Sequence, residues 1–210
     1  MLLLPNISVS IDYWTPLPHF RYRFLSNYAS DNIKHIESYT GTIFCSTTCA
    51  NLLQQLNNVP SSRISILNSQ EQLQLDSNFS VHAFDSNHSP GSLMFCFYSD
   101  ETILVTCYFR FLDSSLYSHL NIIKSPLTEL IIDNQLASRL KPMPDLQQDV
   151  FPLVKEILSS HPQHTVLFDV ESVGYEPLMI FLVNSLDLSL FVTEQLLSIL
   201  QVLFQKMFIF

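Results

Sequence analysis

Glycine is nearly absent from this chain: Gly41, Gly91 and Gly174 are all that 210 residues contain. Loops that need positive φ therefore have little to work with, and each glycine is expected to serve a local purpose. Basic residues are scarce as well, ten Lys and Arg against nineteen Asp and Glu, for a net charge of −9. Such a chain repels a phosphate backbone unless its few cations cluster, which weighs against a general nucleic-acid binder. No CxxC pair occurs among Cys45, Cys49, Cys96 and Cys107, which argues against a zinc ribbon or a thioredoxin-type motif. These cysteines read as small buried thiols of an intracellular protein. The opening MLLLPN lacks a basic segment and is too short for a signal peptide. The apolar stretch from Leu188 to Phe210 carries Glu194, Gln195, Gln201, Gln205 and Lys206. That is too polar for a membrane span, and it reads as a strand followed by an amphipathic helix.

What is present is a foldable core composition, 47% apolar and only 14% charged. Runs rich in β-branched and aromatic residues predict strands at Ile64–Leu67, Phe79–Phe84, Leu93–Tyr98, Ile103–Phe109, Leu130–Asp133 and Val166–Val170. Helical spacing of apolar residues predicts helices over Thr47–Leu56, Gln148–Leu158, Pro177–Leu186 and Thr193–Lys206, with Thr193 as an N-cap. Lys141-Pro142-Met143-Pro144 should break structure before the second helix. The order predicts an α/β fold: a mostly antiparallel sheet first, then a βα unit with parallel strands. The first domain is expected over residues 1–135 and the second over 136–210.

Five segments, in order, resemble the landmarks of one nuclease family. Ile11-Asp12-Tyr13-Trp14 is similar to a VDFW-like opening strand. Phe24-Leu25-Ser26-Asn27-Tyr28-Ala29-Ser30-Asp31-Asn32 sits where that family has FLSHxHSDH. The run from Ile43 to Leu53 resembles (I/L)YCSxxTxxLL. The run from Phe84 to Phe95, DSNHSPGSLMF after its Phe, is close to LDANHCPGSVMF and is the most specific of the five. Ile103 to Arg110 sits where the family has ILYTGDFR. Weaker matches follow at Leu130 to Asn134, like a YLDNT strand, and at His161-Pro162-Gln163-His164 with Val173-Gly174-Tyr175-Glu176, like HPQH…LGKE. On these residues the chain resembles the Apollo-type 5′ exonucleases of the Artemis and DNA cross-link-repair family. The match runs over nearly the whole chain.

The resemblance implies a metallo-β-lactamase-like mixed sheet sandwich over 1–135, followed by the start of a β-CASP-like βα region. It implies a longer protein, of which these residues read as a truncated first part. A half-sandwich of that kind is expected to expose a sheet face or edge, covered by the C-terminal helix or by a second chain. It also implies one or two zinc-class ions that polarise a phosphodiester and activate a water. Of six expected ligand positions two are retained, Asp31 and His88. Asn27, Ala29, Asn32 and Tyr108 occupy the others. Ala29 has no donor atom, Asn amides are poor substitutes for imidazole on zinc, and Tyr108 puts a ring where a bridging carboxylate belongs. Asp31 and His88 are thus the residual catalytic and metal candidates, against the plain alternatives of a turn carboxylate and a loop histidine. His19, His35 and His82 are the residues that could rebuild a site, and His35 stands four after Asp31 as on a helix face. Asp85 and Arg110 match structural positions, an Asp orienting the His loop and an Arg pairing at the sheet edge. Tyr175 replaces a Lys that could meet phosphate.

The leading expectation is a DNA-repair and telomere-maintenance family protein, nuclear by resemblance. Its metal-dependent hydrolysis is lost or strongly reduced, and little or no zinc is held. Its partners would be DNA, weakened by the negative charge, or repair and telomere proteins, with no membrane. Two other readings stay open: an active 5′-3′ exodeoxyribonuclease with a remade metal site, and a degenerate fragment without a biochemical role.

Overall fold

The computed structural model describes residues 2–110, 121, 123, 125–133, 146–162, 173–186, 189 and 191–204. The chain divides into two compact units, Met1–Asp133 and Asn134–Phe210. The first holds two five-stranded sheets among the described residues. One comprises β1 (Leu2–Leu4), β2 (Val9–Ile11), β3 (Tyr22–Phe24), β4 (Ile43–Cys45) and β5 (Ile64–Ile66), in that spatial order. Only β1 and β2 run antiparallel; β2 to β5 are parallel, with α1 (Thr47–Leu56) crossing from β4 to β5. The expectation of a mostly antiparallel first half is therefore corrected. Each of these strands has three residues; β5 was expected at Ile64–Leu67, while β1 to β4 are too short to show a strand pattern.

The second sheet is a meander of β6 (Gln72–Asp76), β7 (Phe79–Asp85), β8 (Leu93–Tyr98) and β9 (Thr102–Val105), with β10 (Glu129–Ile131) added parallel to β9. Strand β9 stops at Val105 rather than Phe109, because Cys107 takes φ 50°, outside the strand region. The two sheets share one core. Val9, Ile11 and Phe24 from the first meet Phe79, Val81, Phe95, Phe97, Ile103 and Val105 from the second. Phe24 is the hub: its ring lies 5.0 Å from Phe44, 5.1 Å from Phe95 and 5.2 Å from Phe97. The opposite face of the second sheet is buried too, through Phe84, Met94, Cys96 and Leu104. Burial on both faces is why β7, β8 and β9 read as near-continuous apolar runs. A third cluster gathers Trp14, Leu25, Ile36, Ile43 and Cys45 against Cys49, Ala50 and Leu53 of α1. Ser46 caps α1, its Oγ accepting from the Cys49 N–H at 3.2 Å.

The described part of the second unit is helical. It holds α2 (Phe151–Ser160), α3 (Glu176–Leu186) and α4 (Glu194–Leu203). Helix α2 begins at Phe151, not Gln148, because the five residues before it wind as a π-turn and Pro152 suits only the first turn of a helix. Thr193 caps α4 as expected, accepting from the Leu196 N–H at 3.2 Å. Residues 189 and 191–193 carry no strand, and Phe191 is almost fully exposed. The expected strand at Val166–Val170, the Lys141–Pro144 breaker and the end of the last helix at Gln205 and Lys206 lie outside the described residues. No described helix is long and apolar enough to cross a membrane.

Because Phe24 joins both sheets, Phe24→Ala should lower stability by about 3–5 kcal/mol in chemical denaturation. Ile66→Ala, at an exposed position of β5, should stay within about 0.5 kcal/mol.

Candidate functional site at the strand ends

The loops that leave the carboxyl ends of β2, β3, β4, β9 and β10 converge on one rim, the usual place for chemistry in an α/β sheet. Asp12, directly after β2, adopts φ 55° and turns its carboxylate inward. Its Oδ1 accepts from the Ser26 N–H at 2.8 Å and its Oδ2 from the Ser26 hydroxyl at 2.6 Å. Ser26 in turn passes its carbonyl to the Leu93 N–H at 2.7 Å, tying the first sheet's loop to the start of β8. Ser46 donates to the Gly91 carbonyl at 2.7 Å. Gly91 has φ +77°, and a Cβ there would lie 2.5 Å from Thr48 Cβ, so only glycine fits this loop. On the other flank the Arg110 N–H donates to the Ser86 carbonyl at 2.8 Å and the Asp133 N–H to the Thr106 hydroxyl at 3.2 Å.

The loop after β3 is held from inside. Asn32 Nδ2 donates to Asn27 Oδ1 at 2.6 Å and, more weakly, to Ser26 Oγ at 3.4 Å. The Trp14 indole donates to the Asn32 carbonyl at 2.5 Å. Asn27 and Asn32 are both buried, Ala29 is half-buried and Asp31 is exposed on the turn. His88 lies on the other loop, its N–H donating to the Ser92 hydroxyl at 3.2 Å and its ring 5.4 Å from that of Tyr108. Desolvation lowers the imidazole pKa below its ordinary value, and Arg110 adds to that while Asp133 opposes it.

The structure thus brings Asn27 and Asn32 together, and His88 with Tyr108. No hydrogen bond, ion pair or ring contact among the described residues joins Asp31 to His88. No group of three or more His, Cys, Asp or Glu able to hold a metal ion occurs among the described residues. His35 is not on a helix face; it takes φ 69° ahead of a single 3-10 turn and is exposed. His82 is buried inside β7, stacked 4.5 Å from Phe84. Asp85 accepts from the Asn87 N–H at 2.7 Å and so shapes the His88 loop, as expected. Arg110 anchors that loop through its backbone N–H, and no ion pair of its side chain occurs among the described residues. Tyr175 is exposed, in the second unit. Asp12, Ser26, Cys107 and Asp133 lie inside the resembling segments but carry no assigned role there; in the fold each stands at or just past the end of a strand. Burial first, then the Asp12 carboxylate, pushes the Cys107 thiol well up, with Ser26 opposing and Asp133 adding.

The 5′ exonuclease Apollo of Danio rerio is 29% identical over 217 residues, covering 96% of this chain and 37% of that protein. The Gallus gallus Apollo is 27% identical over 182 residues, covering 85% of this chain and 39% of its own length. The chain is related to the Apollo 5′ exonucleases. This Apollo-like chain spans a little over a third of the length of the curated relatives it matches. No protein-family model matches it. In three dimensions it is similar to a protein of unknown function from Enterococcus faecalis V583, with a TM-score of 0.58 at 14% identity over 93% of this chain and 51% of that one. That likeness speaks to the α/β fold alone.

Burial raises the Asp12 carboxyl from 3.8 to about 6, against the two Ser26 hydrogen bonds. Folding therefore favours its protonated form. This contribution is complete below about pH 4, declines as pH rises to about 6 and is gone above, roughly 3 kcal/mol in all. Asp12→Asn keeps the hydrogen-bonding shape without the charge. Its stability difference from wild type should grow in its favour between pH 4 and 6 and then level off, as read by denaturation across that range.

Proposed function

We propose that this Apollo-like chain is a DNA-repair protein in which metal-dependent 5′-3′ exonuclease hydrolysis is lost or strongly reduced. Its role then runs through binding partners, DNA or proteins of repair and telomere maintenance, in the nucleus. Its first unit is then a metallo-β-lactamase-type sandwich and its second the beginning of a β-CASP region.

The observation that carries it is the Asn27–Asn32 amide pair. A zinc-class ion at this loop needs lone pairs aimed outward from imidazole or carboxylate. Here Asn27 and Asn32 offer only neutral amide groups, the Asn27 oxygen already accepting from the Asn32 amide, and Ala29 offers nothing. The Tyr108 ring stands against His88, where a bridging carboxylate is required. The donor set therefore does not fit a zinc-class ion. A remade site would draw on His19, His35 or His82, and the buried placement of His82 within the sheet speaks against it.

The test is hydrolysis of 5′-phosphorylated DNA by the purified chain in zinc or manganese. The expected rate equals that of His88→Ala. Metal-dependent 5′ exonuclease activity that His88→Ala abolishes would overturn the proposal. The combined variant Asn27→His, Ala29→His, Asn32→His and Tyr108→Asp should gain zinc that the parent does not hold. The single change Asn32→Ala should cost about 1–3 kcal/mol, because it leaves the Asn27 oxygen buried without a donor.

A further inference from the structure

Arg23 occupies the middle of β3 and is only 2% exposed. A guanidinium buried so deeply is ordinarily met by a carboxylate. None meets this one: the salt bridge found among the described residues joins Arg21 to Asp76. Instead Nη1 donates to the Tyr13 and Thr15 carbonyls at 2.8 and 3.1 Å, and Nη2 reaches the Leu17 carbonyl only at 3.4 Å. The Tyr39 ring covers the guanidinium face, its centroid 4.8 Å away. The Nε–H is buried and has no acceptor. Nε and Nη2 form the edge by which arginine grips a carboxylate or phosphate side-on. Here that edge holds one unused donor and one long bond.

A second cation acts at the same ring. Arg63 gives its Nη2 to the Ile36 carbonyl at 3.1 Å, and its Nε too lacks an acceptor. Burial raises the Tyr39 phenol, while Arg23 and then Arg63 pull it the other way. Beside them opens a groove of about 390 Å³, lined by Pro16, Leu17, Pro18 and Phe20 together with Arg23 and Tyr39. That volume suits a small molecule. Its lining is apolar and aromatic, includes two φ-restricted prolines, and has one cation, Arg23, in a chain of net charge −9. Charge complementarity therefore selects an anion, and the walls select an apolar body.

We propose that this groove binds a small organic oxyanion, a carboxylate or phosphate monoester on a flat apolar body. Arg23 takes the oxyanion through its Nε–Nη2 edge, replacing the long Leu17 bond, and Phe20 and Tyr39 flank the body. The site uses none of the rim residues and does not depend on the function proposed above.

Trp14 reports on it directly. It is the chain's single tryptophan, and its ring lies 5.7 Å from that of Tyr39. The experiment is a titration of wild-type tryptophan fluorescence with phenyl phosphate, benzoate and, as the neutral control, benzyl alcohol. The expected result is a saturable change with one or both anions and none with benzyl alcohol; the anion that responds identifies the head group. Arg23→Met should weaken binding about tenfold or more, and Arg23→Lys should restore only part, because an ammonium lacks the fork. Phe20→Ala, at a half-buried lining position, should weaken the same binding while the protein still unfolds in one cooperative transition. It serves as the variant if Arg23→Met does not fold. No saturable response to either anion, an equal response to benzyl alcohol, or unchanged affinity in a folded Arg23→Met or in Phe20→Ala would overturn the proposal.

Discussion

Asp12, Ser26, Asn32 and Asn27 form one chain of buried hydrogen bonds, and the rim of the first unit is organised around it. Ser26 is the centre. Its N–H and hydroxyl hold Asp12, its carbonyl holds β8, and its oxygen accepts weakly from Asn32. Buried polar groups are tolerated only when they are satisfied, so each member fixes the next. Asp12 needs an αL turn after β2 to reach Ser26, and Asn27 and Asn32 need the loop closed so that their amides meet. The lone pairs this loop has left belong to neutral amide oxygens, weak ligands for a zinc-class ion.

The electrostatics point the same way. The chain has few cations, and the described arginines are largely used inside the fold. Arg23 holds three carbonyls beneath Tyr39, Arg63 holds the Ile36 carbonyl, and Arg21 sits 3.7 Å from Asp76. Arg110 is the cation whose charge is felt at His88, with the Asp133 carboxylate acting against it. A polyanion approaching this rim meets a mixed field rather than a basic one. Recognition of DNA here would therefore draw on positions other than the residual ligand set.

Legibility in the sequence followed burial and length. Strands β7, β8 and β9 were readable because both of their faces are apolar, giving the runs FSVHAF, LMFCFY and TILV. Strands β1 to β4 have three residues each, so no periodicity could show, and the parallel character of that sheet was missed with them. Helix α1 and the Thr193 cap were readable from spacing and cap chemistry. The π-turn before Phe151 had no pattern of its own. At the site, the motif resemblance located Asn27, Ala29, Asp31, Asn32, His88 and Tyr108. It could not show that Asn27 and Asn32 pair with each other, because that depends on loop closure. Asp12 and Arg23 looked ordinary in sequence. Their roles arise from burial, which raises the carboxyl of one and leaves the Nε–H of the other without an acceptor.

The central claim is that the amide-paired loop has replaced a metal-binding one. Its most direct test is the zinc and iron content of the purified chain by elemental analysis. The account predicts no stoichiometric metal, unchanged whether or not zinc is supplied during expression. About one ion or more per chain, resistant to dialysis, would contradict it.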